Sequence, residues 1–395
     1  MSLTRRRLFQ RLVTPDANTL NPDVASDRGR EARAGFAEQA TPAGVKVVRI
    51  NTNENPLGPG QHVLDAIVGK FPEAGRYPFN ATPHEGTLAA SIAARFPGAK
   101  AENVVMGAGS GEILTNAVRA FASAARPLAT GWPSFENPTD TARKIGTPVR
   151  QVKLNDKLQI DIEKTIDASK GAGLVFFCNP NNPTATVHGK AAVTDFVRRV
   201  RAASPDTIIL IDEAYHDYVT DPAYTSAVDL ALSTPNVFVT RTFSKAYGMA
   251  GLRIGYAIGH APTIRRLESF RLPYGIATPQ IAAMVAGLNN PAHIEQERKR
   301  NSEVKAFTIK AFADMGFTAT DSQSNFIFVN IKRPAAPFRD ACSAAGVLVG
   351  RDFPPFEKTH CRVSIGTMAE MQRAVDVFRK VLGTATTTPS KERRR

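Results

Sequence analysis

Four uninterrupted apolar runs recur in this chain, and each ends abruptly in polar or glycine-rich residues. Val104-Val105-Met106 runs into Gly107-Ala108-Gly109-Ser110-Gly111-Glu112, and Leu174-Val175-Phe176-Phe177-Cys178 into Asn179-Pro180-Asn181-Asn182-Pro183. Thr207-Ile208-Ile209-Leu210-Ile211 runs into Asp212-Glu213-Ala214-Tyr215, and residues 237–240 run into a loop that carries Ser244 and Lys245. A strand with one wet face alternates apolar and polar residues, so a run apolar at every position reads as a strand buried on both faces. Helical segments separate these runs, which makes the expected fold class α/β, a mostly parallel central sheet covered by helices. Ligands of such sheets collect at the C-terminal ends of the strands. Every polar cluster just named falls at such an end.

Composition narrows the alternatives. The chain has 395 residues, 43% of them hydrophobic and 22% charged, which is ordinary for a globular protein with a large core. No apolar run reaches the length of a membrane span, so no membrane partner is expected. Cys178, Cys342 and Cys361 are far apart in sequence and suggest neither a disulfide framework nor a zinc site. The formal net charge of +14 invites a nucleic-acid reading. Part of that excess sits at the ends, in Arg5, Arg6, Arg7 and Arg11 and in Lys391, Arg393, Arg394 and Arg395. With no recognition motif and no basic stripe interleaved with aromatics, nucleic acid is not an expected partner.

The pattern along the chain sets the expected organisation. Residues 1–45 read as a polar tail, 46–60 as an N-terminal segment packing with a small domain, 61–275 as a large domain, 276–385 as the smaller α/β C-terminal domain and 386–395 as a basic tail. Helices are expected at 63–71 and 88–96, through a helix-rich stretch at 262–313 broken at Pro273-Tyr274-Gly275, and at 371–382. Short strands are expected at 325–329, 346–349 and 361–365. Arg6-Arg7-Leu8-Phe9 resembles a twin-arginine export signal, yet the residues after it are too polar and too few to form the apolar segment that signal needs. A cytoplasmic location is therefore expected, periplasmic export being the alternative if an apolar leader segment is missing from this chain.

The polar clusters suggest a chemistry. A lysine at a strand end can act as a nucleophile toward carbonyl compounds when its amine is held unprotonated, and pyridoxal 5'-phosphate is the commonest such partner. That cofactor's ring nitrogen needs a buried carboxylate, and Asp212 closes an almost wholly apolar strand. Tyr215 and Asn182 suit its phenolic oxygen, and Phe135 its ring face. The phosphate calls for helix N-terminal N–H groups, hydroxyls and a cation: Ser110 with Gly111, Thr242 with Ser244, and Arg253. The glycine loop does not fit the dinucleotide fingerprint, because Glu112 stands where its third glycine belongs.

Taken in order, Asn53-Glu54-Asn55-Pro56, Arg76-Tyr77-Pro78, Gly109-Ser110-Gly111-Glu112, Asn179 through Thr184, Asp212-Glu213-Ala214-Tyr215, Ser244-Lys245 with Arg253, and Arg362-Val363-Ser364-Ile365-Gly366 resemble the class I/II pyridoxal-phosphate aminotransferases. Within these the chain is most similar to the histidinol-phosphate aminotransferase group. The resemblance implies a fold-type-I homodimer with its site at the subunit interface, where Tyr77 reaches the cofactor phosphate of the neighbouring chain. It also implies that Lys245 is the catalytic residue, and that Arg362, with Arg351 assisting, grips an anionic group of the substrate. The implied substrates are a small amino donor, an amino acid or amino-alcohol phosphate, and a 2-oxo acid acceptor such as 2-oxoglutarate. Ala185, Gly111 and Gly275 depart from the family's usual Gly, acidic residue and Asn. The same residues also support a decarboxylase or an oxidase, since the bond broken depends on its orientation to the ring. A third reading is a non-catalytic protein with a vestigial site.

Overall fold

The computed structural model describes residues 47–80 and 84–383. The expected tails, Arg6 and Arg7 included, lie outside the described residues. The first half contains β1 (Val48–Arg49), α1 (Gln61–Lys70), α2 (Glu85–Ala93), β2 (Val104–Gly107), α3 (Ser110–Phe121), β3 (Leu128–Trp132), α4 (Asn137–Lys144), β4 (Val149–Lys153), α5 (Ile162–Ser169) and β5 (Leu174–Cys178). There follow α6 (Lys190–Ala203), β6 (Ile208–Asp212), α7 (Val228–Ser233), β7 (Val237–Thr242), β8 (Gly255–Gly259), α8 (Ala261–Glu268), α9 (Thr278–Leu288) and α10 (Pro291–Asp314). The chain continues through β9 (Thr318–Ala319), β10 (Phe326–Asn330), α11 (Ala335–Ala344), β11 (Val347–Leu348), β12 (His360–Ser364) and α12 (Met368–Gly383).

Seven strands form the large sheet in the order β2-β8-β7-β6-β5-β3-β4, and only β8 runs against its neighbours. Side chains alternate across a strand, so the apolar runs feed two cores. Phe176, Cys178, Leu210 and Phe238 enter the cluster beneath α3. Phe177, Ile209, Ile211 and Val239 enter the cluster on the other face, with apolar residues of α1, α2, α6 and α9. Because α9 contributes Ile281, Ala283 and Met284 to that cluster, it packs with the large sheet although it follows residue 275.

Register positions the site. Cys178 pairs with Asp212 and Asp212 with Thr240, so three residues from three strands stand in one row at the C-terminal edge. Beside this sheet, β12, β10 and β9 form an antiparallel sheet, while β1 pairs in parallel with β11. A third cluster fills the space under these strands, where Phe378 of α12 meets Phe312 and Phe338 at ring-centroid distances of 5.2 and 5.5 Å.

Three strands of the large sheet were not anticipated from sequence. The segment after Tyr256 is not yet helix-rich, because β8 occupies Gly255–Gly259 first. Its two end glycines obscure the strand pattern, and they are required there: a Cβ on Gly255 would strike the backbone of Ser110, and one on Gly259 the backbone of Val237. The second, β3, is interrupted by Gly131, and the third, β4, is a mostly exposed edge strand. No described helix is long and apolar enough to cross a membrane. Truncation of a fully buried aromatic leaves a cavity as well as lost transfer energy. Phe378→Ala is therefore expected to lower stability by about 3–5 kcal/mol in urea unfolding followed by circular dichroism.

Candidate active site

Lys245 stands in the turn that returns the chain from β7 to β8. The turn is closed by hydrogen bonds from Gly248 N to the Lys245 carbonyl at 2.9 Å and from Met249 N to the Phe243 carbonyl at 3.0 Å. Gly248 has a φ of +68°, and a Cβ there would collide with the carbonyl group of Gly58, so no other residue fits. The lysine Nζ donates only a long bond, 3.4 Å, to the Thr52 carbonyl, and lies 5.7 Å from the centre of the Tyr215 ring. Burial, reinforced by the charge of Arg362, pulls its pKa down to about 8.

Asp212 is 2% exposed. Its Oδ1 accepts a hydrogen bond from Thr240 Oγ1 at 2.8 Å, and its Oδ2 has the Cys178 thiol at 3.9 Å. No guanidinium or ammonium among the described residues bonds to it. Burial pushes its pKa up to about 6, against the lowering effect of the Thr240 hydroxyl. Tyr215 accepts a bond from Asn53 Nδ2 at 3.1 Å and is buried edge-on against Phe326.

A second group gathers at the start of α3. Gly109, at φ +77°, lets the chain turn into the helix so that Ser110 and Gly111 open its first turn. A Cβ on Gly109 would collide with the Arg253 guanidinium, so that contact depends on glycine. Arg253 Nη1 donates to Ser244 Oγ at 3.2 Å, and Ser244 N donates to Thr242 Oγ1 at 3.1 Å. Backbone donors, two hydroxyls and a cation thus meet at one helix N-terminus, the arrangement that holds a phosphate.

Arg362, on β12, is 6% exposed. It donates from Nη1 to Asn182 Oδ1 at 2.8 Å and from Nη2 to the Asn51 carbonyl at 2.7 Å, while Nε keeps no partner. Because Arg362 takes the amide oxygen of Asn182, the Nδ2 donor of Asn182 is left available. Arg351 shares the ring of Phe353 with Arg362, their guanidinium carbons standing 4.3 and 4.7 Å from its centre, and Arg351 also pairs with Glu136. Burial draws the pKa of both arginines down to about 10. Phe135 packs at the edge of the cluster that contains Cys178. Tyr77 does not join these contacts; it is 65% exposed and touches Phe79 and Tyr274.

Some partners were not singled out as site residues from sequence. Asn53 is held at φ +57° by hydrogen bonds with Ser364, its own N donating to the Ser364 hydroxyl at 2.9 Å and that hydroxyl donating to Asn53 Oδ1 at 2.7 Å. An asparagine-rich turn is a recognisable signal for such a residue. Thr240 and Glu136 carried no signal of their own, because each matters through a residue distant in sequence.

The family model for aminotransferases of class I and II matches residues 45–378. The chain belongs to the class I and II aminotransferases. It is a pyridoxal-phosphate-dependent enzyme of fold type I that moves amino groups between amino and keto acids. It is 32% identical to a histidinol-phosphate aminotransferase of Moorella thermoacetica over 341 residues, covering 86% of each chain. It is 31% identical to an aromatic amino acid aminotransferase of Streptomyces avermitilis over 350 residues, covering 87% of this chain and 91% of that one. The crystal structure of histidinol-phosphate aminotransferase from Sinorhizobium meliloti in complex with pyridoxal-5'-phosphate superposes with a TM-score of 0.79 at 26% identity, over 86% of this chain and 92% of the other.

The low pKa of Lys245 has a consequence for stability. Below pH 8 the lysine is charged in both folded and unfolded states, and folding carries the whole desolvation cost. As pH rises from 8 toward the ordinary lysine value of 10.5, the folded protein gives up its proton first and the cost falls away. Relative to Lys245→Met, the cofactor-free wild type should therefore gain roughly 2–3 kcal/mol between pH 7 and pH 10 in urea unfolding. A pH-independent difference would contradict this.

Proposed function

We propose that the enzyme moves an amino group between an amino acid or an amino-alcohol phosphate of the histidinol-phosphate kind and a 2-oxo acid such as 2-oxoglutarate. The observation that carries this reading is the buried Arg362, its Nε unpartnered, which shares the ring of Phe353 with Arg351 and whose charge helps to lower the pKa of Lys245. A buried guanidinium whose charge reaches the reactive amine, with a second guanidinium on the same aromatic ring, suits substrates that carry an anion next to the amino or keto carbon. Relatives named for both histidinol phosphate and aromatic amino acids are compatible with such a site.

The residues present fit the cofactor. A buried carboxylate without a cationic partner, a phosphate-holding helix N-terminus and a depressed lysine pKa are the three things it needs. In this reading Lys245 Nζ is its covalent anchor, Asp212 receives its ring N–H, and Asn182 Nδ2 and the Tyr215 hydroxyl hold its phenolic oxygen. Phe135 covers its ring, and Ser110, Gly111, Thr242, Ser244 and Arg253 take its phosphate. Pyridoxal 5'-phosphate, when bound, supplies an electron sink that acidifies the C–H bond at the substrate's α-carbon. With the cofactor bound, Lys245 Nζ would be the general base that accepts that proton. Asp212, buried and anionic, stabilises positive charge on the ring nitrogen. Arg362 orients the substrate so that the α-proton points at Nζ.

The reading includes a homodimer in the cytoplasm. Tyr77, Phe79 and Tyr274 form an exposed aromatic patch with ring centroids 5.4 to 5.8 Å apart, and exposed apolar patches of this kind mark protein interfaces. In a dimer formed through it, Tyr77 reaches the phosphate of a second copy.

A panel of amino donors, histidinol phosphate and aromatic amino acids included, followed through the absorbance of the bound cofactor, tests the substrate assignment. The aldehyde form should be consumed by an anionic donor and restored by 2-oxoglutarate; carbon dioxide release without restoration would overturn transamination of that donor. Lys245→Ala is expected to abolish turnover. Arg362→Lys should lower kcat/KM about 100-fold, since a bidentate contact becomes a point charge.

A further inference from the structure

The residues that follow Asp212 and Thr240 face away from the candidate active site. Strand alternation sends Asp212 and Thr240 to one side of the sheet and Glu213 and Arg241 to the other. There Arg241 donates from Nε and Nη2 to Glu213 Oε2 at 3.1 and 3.0 Å, a buried pair held further by Ser226. Arg241 forms part of the wall of a separate cavity of about 620 Å³, a volume typical of small-molecule sites.

The cavity contains two charges that do not meet. Arg95 donates to the Leu288 carbonyl and has no carboxylate partner among the described residues. Asp217, half-buried, has no hydrogen-bond or ion-pair partner among the described residues, though it lies within the field of Arg241. Tyr247 lies within the fields of both, the aspartate raising and the arginine lowering its pKa. Of the other charges on the walls, Arg241 is matched by Glu213 and Glu295 by Arg298, while Asp221 accepts a hydrogen bond from Ala223 N at 2.8 Å. His216 shares a hydrogen bond with Tyr224 at 3.1 Å, and burial lowers its pKa, so it adds no charge near neutral pH. Apolar and aromatic surface completes the lining through Phe96, Tyr247 and Tyr256.

We propose that this cavity is a second binding site, for a zwitterionic α-amino acid. Its ammonium group would pair with Asp217, its carboxylate with Arg95, and its side chain would lie against the aromatic wall. A ligand bearing one charge would leave the other wall charge without a partner, which is what separates the zwitterion from simple amines and acids. The site shares β7 with the catalytic centre, since Arg241 follows Thr240, and Tyr247 lies two residues beyond Lys245.

The test is equilibrium dialysis of labelled L-phenylalanine against borohydride-reduced holoenzyme, which cannot turn over. Wild type should bind one more molecule per chain than Asp217→Asn or Arg95→Gln, with the affinity of that class at least tenfold weaker in each variant. 2-Phenylethylamine and 3-phenylpropionate, each lacking one charge, should compete at least tenfold less well. Both variants should keep kcat/KM for transamination within twofold, which reports that they fold. The proposal is overturned if either folded variant binds L-phenylalanine as wild type does, or if wild type binds none up to about 10 mM beyond what both variants bind.

Discussion

The Asp212 carboxylate sits at the end of β6 with a hydroxyl on one oxygen, a distant thiol on the other and no cation bonded to it. Burying a carboxylate on those terms opposes folding, and the large sheet is what makes it sustainable. β5 and β6 are apolar at nearly every position and β7 through its first half, so the hydrophobic energy of two cores is gathered at the strands whose ends carry the polar row. An unmatched buried anion is a poor structural device. It is a good receptor for a cationic ring nitrogen, which is the role we propose for it.

Around this carboxylate the other groups are placed by distinct means. Lys245 and Arg253 come from one turn, between β7 and β8, whose geometry depends on Gly248 and on the left-handed conformation of Arg253 at φ +52°. Ser110 enters from a neighbouring strand end through the close approach that Gly109 and Gly255 permit. Arg362 arrives from a different sheet altogether. It is tied to the Asn51 carbonyl and to Asn182, which joins the segment after β1, β12 and the loop after β5 around the reactive amine. Ala185, where glycine is usual in the family, adopts φ +61°, so the departure noticed in sequence sits at a position whose backbone favours glycine.

Much of this was legible in the residues. Continuous apolar runs read as doubly buried strands, and Asp212, Lys245 and Ser110 could be placed because strand ends concentrate polar function. What was not legible depends on approach between distant parts of the chain. The bond from Asn53 to Tyr215 and the pairing of Glu136 with Arg351 join residues whose nearness only the fold creates. β8 was hidden by glycines that exist because neighbouring backbones press against them, a reason visible only in three dimensions. The opposite faces of β6 and β7 follow from alternation, yet the unmatched charges of Arg95 and Asp217 come from helix and loop segments that no local pattern brings together.

The account rests on Asp212 being desolvated and without a cationic partner before the cofactor arrives. A carbon-13 NMR titration of its carboxyl group in the cofactor-free protein, assigned with Asp212→Asn, measures this directly. The expected midpoint is about 6, with burial as the cause. A midpoint at or below the ordinary aspartate value of 3.8 would mean that the carboxylate is solvated or already paired, and would contradict the account.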